Sequence, residues 1–329
     1  MHPSQVLFQD QLTPVMLPVC DHYAGSEKLM RKSMQLQSEL GPCFDITFDC
    51  EDGAAAGNEA AHASLVAQLI NSEDNRFQRI GVRVHDLDHT AFSQDLRLIL
   101  PAAAKKLAYL VLPKVSSARQ LAEAIAEIND YAAQSGRTEL LPVHALIETH
   151  DALADVMAIA ALPQVECLSF GIMDFVSSHY GAIPGDAMRS PLQFSHPLIV
   201  RAKLEIAAAC HRYGKVASHN VCTSISEPAA AGQDAAQAFN QLGYTRMWSI
   251  HPSQITHIVN AMSPTDTETE LACAILLQAR AASWGPIQYA GRLHDRASYR
   301  YYWTVLKRAQ LSAKELPAQA HVLLEGDSQ

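Results

Sequence analysis

The chain is poor in several things that would have settled its class at once. It has no apolar run approaching the length of a bilayer span, so a transmembrane helix is not expected. It has no basic block, and its 25 Lys and Arg against 34 Asp and Glu leave a net charge of −9. Such a chain is a poor match for nucleic acid or an anionic membrane surface. The first residues, Met1-His2-Pro3-Ser4-Gln5, lack the basic and apolar pattern of a secretory leader. The seven cysteines include no C-x-x-C pair and no zinc-type spacing. They are expected to be reduced thiols in the core of a cytoplasmic protein. There is no G-x-G-x-x-G and no G-x-x-x-x-G-K-[ST], which argues against Rossmann and P-loop phosphate binding. No H-E-x-x-H occurs among the 15 histidines, which disfavours zinc, and no G-x-S-x-G element marks a serine hydrolase.

What is present is rhythm. Eight short apolar runs follow one another: Pro14–Val19, Phe44–Phe48, Ile80–Val84, Leu107–Leu112, Leu141–Ile147, Val165–Phe170, Val216–Ser218 and Arg246–Ile250. Several lack alternation, as strands covered on both faces do. Helical segments lie between them. Ser117 heads one that carries Leu121, Ile125 and Ile128 and stops near Gly136. Pro197 opens one that stops near Gly214, and Ala229–Leu242 precedes Gly243. Eight strand–helix repeats in 329 residues predict an α/β fold of the TIM (β/α)₈ barrel type. A doubly wound sheet is the competing topology. Val176–Ser195 reads as a loop inserted after the sixth strand. Beyond Pro264 an acidic cap (Asp266, Glu268, Glu270), an apolar helix Leu271–Ala282 and a basic, aromatic helix Tyr299–Ala309 form a C-terminal extension, a lid or an oligomerisation arm. The expected division is a barrel over 1–264 and the extension over 265–329. Glu325–Gln329 is expected to be disordered.

In such a barrel the chemistry sits where strands end. Reading those ends gives Asp49-Cys50-Glu51-Asp52-Gly53, Arg83-Val84-His85-Asp86, Pro113-Lys114, Glu148, Asp174, His219-Asn220 and His251-Pro252. Glu148 closes one apolar run and Asp174 follows the next, with the helical stretch Thr149–Met157 between them. Consecutive strand tips that each offer a carboxylate suit a hard divalent cation such as Mg²⁺, whose other positions go to water or substrate. A single strand-end acid is usually a helix cap or a surface charge. Several acids converging with Arg83 and Lys114 need a neutralising cation, and Arg83 would then face an anionic substrate. Lys114, among so many acids, is expected to be a protonated ion-pair partner rather than a Schiff-base nucleophile. Asp49 is expected to point away from the mouth, and His251 to be structural.

On these residues the chain resembles the citrate lyase β-subunit-like and malyl-CoA lyase-like branch of the HpcH/HpaI aldolase superfamily. The resemblance rests on Asp49-Cys50-Glu51-Asp52-Gly53-Ala54, Val82-Arg83-Val84-His85, Leu112-Pro113-Lys114, Ile147-Glu148-Thr149, Phe170-Gly171-Ile172-Met173-Asp174 and Ile250-His251-Pro252-Ser253-Gln254, in that order. It implies a barrel assembled into homotrimers or homohexamers, with Mg²⁺ (Mn²⁺ as a substitute) on Glu148 and Asp174. It implies a 2-oxo acid held by Arg83 and by the Gly171-Ile172-Met173 segment and Lys114, with Glu51 and Asp52 behind them. An aspartate of the extension, which Asp295 resembles, would reach a neighbouring active site. The implied activity is carbon–carbon cleavage or formation of a 3-hydroxyacyl-CoA such as malyl-, citramalyl- or citryl-CoA. An aldolase acting on free pyruvate or oxaloacetate with an aldehyde, and a non-catalytic metal-binding barrel, are the alternatives. The chain departs from the family pattern at Leu17–His22, where an arginine and a V-P-G turn are usual. It also departs at Met173, in place of a glutamate, and at Ser218–Ser224, in place of D-G-x-x-x-D. Two of these stretches would line the place of a CoA thioester.

Overall fold

The computed structural model describes residues 2–9 and 12–325. Eight parallel strands close into one barrel, each hydrogen-bonded to the next and the eighth to the first. They are β1 (Cys20–Ala24), β2 (Asp45–Asp49), β3 (Ile80–Arg83), β4 (Leu110–Leu112), β5 (Val143–Ile147), β6 (Val165–Phe170), β7 (Val216–His219) and β8 (Arg246–Ser249). The strands are buried almost throughout, as expected of a parallel sheet covered by helices, so their runs show no alternation. The expected barrel is therefore the observed one, and the doubly wound sheet is not formed.

The helices begin and end where local chemistry says they should. Ser117 Oγ accepts from Gln120 N–H at the head of Ala118–Gln134. Pro197 occupies the first turn of Pro197–Arg212. Gly243, with φ +75°, ends Ala229–Leu242 in the left-handed conformation that favours glycine. The 176–195 insertion holds two short 3₁₀ turns, Gly185–Met188 and Leu192–Phe194.

β1 lies later than the run at Pro14–Val19 suggests. Pro14 and Pro18 have no N–H for a ladder. The strand is instead Cys-Asp-His-Tyr-Ala, whose Asp21 and His22 are 1% exposed. Asp21 accepts from Thr47 Oγ1 and Tyr109 Oη and pairs with Arg246 Nη2 at 3.1 Å. Arg246 Nη1 reaches Asp45 at 2.6 Å and Pro18 O at 2.7 Å. This fully buried arginine between two acids fills the end of the barrel where the strands start. Above it Tyr109 stacks on His144, with ring centroids 3.9 Å apart.

After Pro264 the helix begins at Asp266, behind a Thr265/Glu268 capping box, and runs to Ala281. The three acids read as a preceding cap are thus its first turns. A hairpin, β9 (Ile287–Tyr289) and β10 (Arg292–His294), precedes the helix Arg296–Leu311. A small second core joins these elements through Leu276, Trp284, Tyr299, Trp303 and Leu306, and the helix Pro3–Leu7 contributes Val6 and Leu7 to it. Arg308 donates to Met262 O and lies over the Phe239 ring. Met262 ends the helix that follows β8, and helices run back along a barrel from strand ends to strand starts. Lys307, Leu311, Leu316 and Leu324 share a cavity with Asp45, Arg79 and Tyr109, which lie at strand starts. Within one chain the extension therefore sits at the end opposite the strand tips and does not lid them. Of the terminal stretch expected to be disordered, residues 326–329 lie outside the described residues.

All seven cysteines are buried and free. Among the described residues no helix is long and apolar enough to cross a membrane.

Candidate active site

The strand tips surround a cavity of about 320 Å³. Its walls include Asp49, Asp52, Arg83, Glu148, Gly171–Asp174, Asn220, Tyr23 and Trp248, with Leu29 and Ile250 at the rim. Leu29, Met173 and Ile250 are large exposed apolar side chains.

Glu148 follows directly on β5 and is 3% exposed. Its Oε1 accepts from Lys114 N–H at 2.7 Å, and Lys114 takes φ +50° in presenting that N–H. Gly171 is the first residue after β6. A Cβ built on it would stand 2.0 Å from Glu148 Oε2 and 2.6 Å from Glu148 Cβ, so only glycine leaves room for the carboxylate. Asp174 lies half-buried in the first turn of the short helix Ile172–Ser177 and lines the same cavity. Burial pushes the Glu148 carboxyl up to about 8, and the neighbouring Asp174 charge adds to the push.

Arg83 at the end of β3 uses its fork on Asp49, with Nε to Oδ1 at 2.8 Å and Nη2 to Oδ2 at 2.5 Å. Its Nη1 meets Glu51 at 2.9 Å. Asp49 also accepts from Glu51 N–H and Gly53 N–H. Asp49 therefore lines the cavity and fixes Arg83, contrary to the expectation that it turns away. A β-strand end followed by a tight turn hid this, since the turn's N–H groups draw the carboxylate back over the tip. Lys114 Nζ pairs with Glu51 at 2.5 Å and Asp52 at 3.4 Å, and these acids hold its amine charged above the usual lysine range against the burial that opposes it. It is the ion-pair partner expected. His251 caps the helix Pro252–Met262 by accepting from Ser253 N–H, a structural role as expected.

The ring of strand-end polar residues divides in two. His85 turns to Asp95, with Nδ1 2.6 Å from Oδ2, and with Asp86 it lines an adjoining cleft of about 350 Å³ beside Lys114 and Glu51. Asp295 is not among the residues lining either space; its carboxylate caps the helix Arg296–Leu311. Asn220, one of the strand-end residues read from the sequence, lines the cavity, and Tyr23 and Trp248 line it without having been singled out. Tyr23 and Trp248 stack with centroids 4.7 Å apart. Only their place at the tips of β1 and β8 could have flagged them.

Comparison with known proteins decides the family. A family model described as HpcH/HpaI aldolase/citrate lyase matches residues 42–252. The chain belongs to this family. A crystal structure of a citrate lyase from Burkholderia xenovorans is 57% identical, covers 98% of the chain and 99% of its own, and superposes with a TM-score of 0.84. L-malyl-CoA/β-methylmalyl-CoA lyase of Cereibacter sphaeroides is 26% identical over 81% of the chain and 87% of its own length. Protein CitE of Mycobacterium tuberculosis, crystallised with magnesium, acetoacetate and coenzyme A, shares the fold at 20% identity, with a TM-score of 0.64 over 89% of the chain and 98% of its own. The strand-tip residues Asp49 through His251 all fall inside the matched segment; Tyr23 and Asp295 fall outside it.

Among the described residues no group of three or more His, Cys, Asp or Glu forms a ready-made metal cluster. The two-carboxylate arrangement is nevertheless the one Mg²⁺ uses, with water and substrate completing its shell. Five carboxylates here (Asp49, Glu51, Asp52, Glu148, Asp174) face two cations, Arg83 and Lys114. Both cations are spent on Asp49, Glu51 and Asp52. Glu148 and Asp174 are the acids left without one, and they fit a divalent ion.

Proposed function

We propose that the chain is a Mg²⁺-dependent carbon–carbon lyase that cleaves or forms a 3-hydroxyacyl-CoA of the malyl, citramalyl or citryl type, giving a 2-oxo acid and an acyl-CoA. The observation that carries this reading is the pairing of Glu148 with Asp174 in one cavity beside a fixed Arg83. The lyases among the relatives, and the magnesium and coenzyme A bound by a protein of the same fold, support it.

Glu148 and Asp174 would hold the cation, which supplies Lewis-acid polarisation of the substrate's C2 oxygen. The chain's own residues do the rest. Lys114 N–H fixes one Glu148 oxygen, and Gly171 leaves space for the other. Asp49 and Glu51 hold Arg83 in one orientation at the cavity wall, so that its remaining Nη1 and Nη2 hydrogens would meet a developing alkoxide or a substrate carboxylate without reorganising. Glu51 ties Arg83 to Lys114, and Asp52 joins from the exposed side. Asp295 serves a cavity only when delivered to a neighbouring copy, which is the role a homotrimer or homohexamer would give it.

The test is release of a 2-oxo acid from malyl-CoA and citramalyl-CoA by purified protein with MgCl₂, with and without chelator. Turnover is expected with Mg²⁺ (and with Mn²⁺), and its loss in Glu148→Ala and Asp174→Ala. Turnover retained by chelated Glu148→Ala protein would refute the reading.

One observation favours a second reading, an aldolase acting on free 2-oxo acids. Among the described residues, Arg83 is the only basic side chain lining the cavity and it is paired with Asp49 and Glu51, while the exposed wall carries Leu29, Met173, Ile250 and Asp52, so no unpaired cation there meets a CoA phosphate. Titration with acetyl-CoA separates the two readings. A metal-binding barrel without turnover would release no 2-oxo acid from either class of substrate.

A further inference from the structure

Tyr23 brings to the cavity a ring, and a hydroxyl that nothing there meets. It stands in β1, 8% exposed, and lines the cavity with Arg83 and Trp248. Its Oη is buried and has no hydrogen-bond partner among the described residues. Burial pushes the phenol well above its usual range, and the charge of Asp21 adds to the push. A hydroxyl enclosed in this way neither bonds a substrate nor hands it a proton, since proton transfer needs hydrogen-bond reach. What Tyr23 has to offer the site is its ring.

That ring has a neighbour from each side of its strand. β1 pairs with β8 on one side and with β2 on the other, and β2 pairs with β3. From β8, Trp248 stacks on Tyr23, with centroids 4.7 Å apart and planes 16° from parallel. From β3, Arg83 places its Cζ over the Tyr23 ring, 5.4 Å from the centroid. At that distance the ring face attracts a guanidinium. Asp49 and Glu51 engage Arg83 through its nitrogens. Bonds of that kind fix a guanidinium within its own plane and resist tilting out of it only weakly. A ring braced from behind and packed against the group opposes the tilt. It also keeps water from the charge, and a less hydrated charge pulls harder on an anion.

We infer that Tyr23, braced by Trp248, is a positioning residue that sets the direction of Arg83 toward the carboxylate of the 2-oxo acid, and that it acts through its ring alone. The inference rests on the proposed 2-oxo acid site and assigns the residue that orients its arginine.

The test is calorimetric titration of the full chain, first with MgCl₂ and then with pyruvate in excess MgCl₂. Tyr23→Leu removes the ring and is expected to weaken pyruvate about tenfold, the effect of one buried cation–π contact, with Mg²⁺ affinity unchanged. Tyr23→Phe keeps the ring, drops only the unpaired hydroxyl, and should restore the wild-type pyruvate affinity. Trp248→Leu removes the brace and should weaken pyruvate about threefold, again at unchanged Mg²⁺ affinity. It keeps the inference open to refutation if Tyr23→Leu does not fold. A residue needed only for the fold would move Mg²⁺ and pyruvate together, and that result in both leucine variants overturns the inference. Wild-type pyruvate affinity in either leucine variant overturns it too, as does loss of pyruvate binding in Tyr23→Phe. All of these leave the 2-oxo acid site standing. A wild type that binds no pyruvate in the presence of Mg²⁺ overturns the inference and the 2-oxo acid reading together.

Discussion

Glu148 lies in the space that any side chain at residue 171 would occupy: the position of a Cβ on Gly171 is 2.0 Å from Glu148 Oε2. The neighbour that must give way is a buried carboxylate held from its other side by Lys114 N–H. Gly171→Ala is therefore expected to displace the carboxylate while leaving the barrel folded. Turnover should fall by about 100-fold or more, since misplacing a group by about 1 Å costs that much. Mg²⁺ titration followed by calorimetry, beside circular dichroism, checks it; wild-type Mg²⁺ affinity and rate in this variant would show that the contact is dispensable.

Asp49 and Arg83 form a buried two-bond pair, with Glu51 on the third nitrogen. Removing one partner of a buried pair costs about 3–5 kcal/mol, because the other charge is left without compensation. Asp49→Ala should lower the melting temperature markedly. Arg83→Lys should lose less stability and more activity, because an ammonium cannot serve Asp49 and Glu51 with a planar fork. Thermal melts and kcat/KM on the two variants separate the effects; a destabilised Arg83→Lys with full activity would contradict it.

Lys114 should not form a Schiff base. Glu51 and Asp52 hold its amine charged, and a protonated amine is not a nucleophile. Incubation with pyruvate and borohydride followed by mass spectrometry is expected to show no adduct. An adduct mapping to Lys114 would move the chemistry from metal to imine.

A pH effect on stability is expected from Lys203. Its amine is fully buried among Gln193, His219, Phe194 and Phe170, and burial lowers it to about 7 despite the opposing charge of Asp234. Between about pH 7 and the unfolded value of 10.5, the unfolded chain binds the proton and the folded one does not. Stability from this group therefore rises with pH across that window, by at most about 1.4 kcal/mol per pH unit. His219, also held neutral by burial, titrates below its ordinary value of 6.5 and so acts outside it. Denaturant melts of wild type and Lys203→Met at pH 7, 8 and 9 should show the wild type gaining relative to the variant. Parallel pH profiles would place the proton elsewhere.

The barrel was legible because a covered parallel strand must be apolar, and seven of the eight runs fall on strands. β1 escaped because its polar residues are satisfied inside the barrel by partners distant in sequence: Asp21 by Arg246, Thr47 and Tyr109. Glu148 and Asp174 were readable from their place at strand tips, and they do share the cavity. Asp49 was misread because its direction depends on Arg83 and on the turn at Glu51–Gly53. Asn220 and Trp248 carry no motif. Asn220 is held by Gln193, which in turn donates to Asp234, a relay of partners distant in sequence that no local pattern reveals.

Arg246, wedged between Asp21 and Asp45, closes the barrel axis at the far end. Traffic can then use one doorway only. For the lyase proposed above, the fragment seated nearer the floor would wait for the other to depart. Release would then run in a fixed sequence, and the fragment leaving last should compete directly with the incoming substrate.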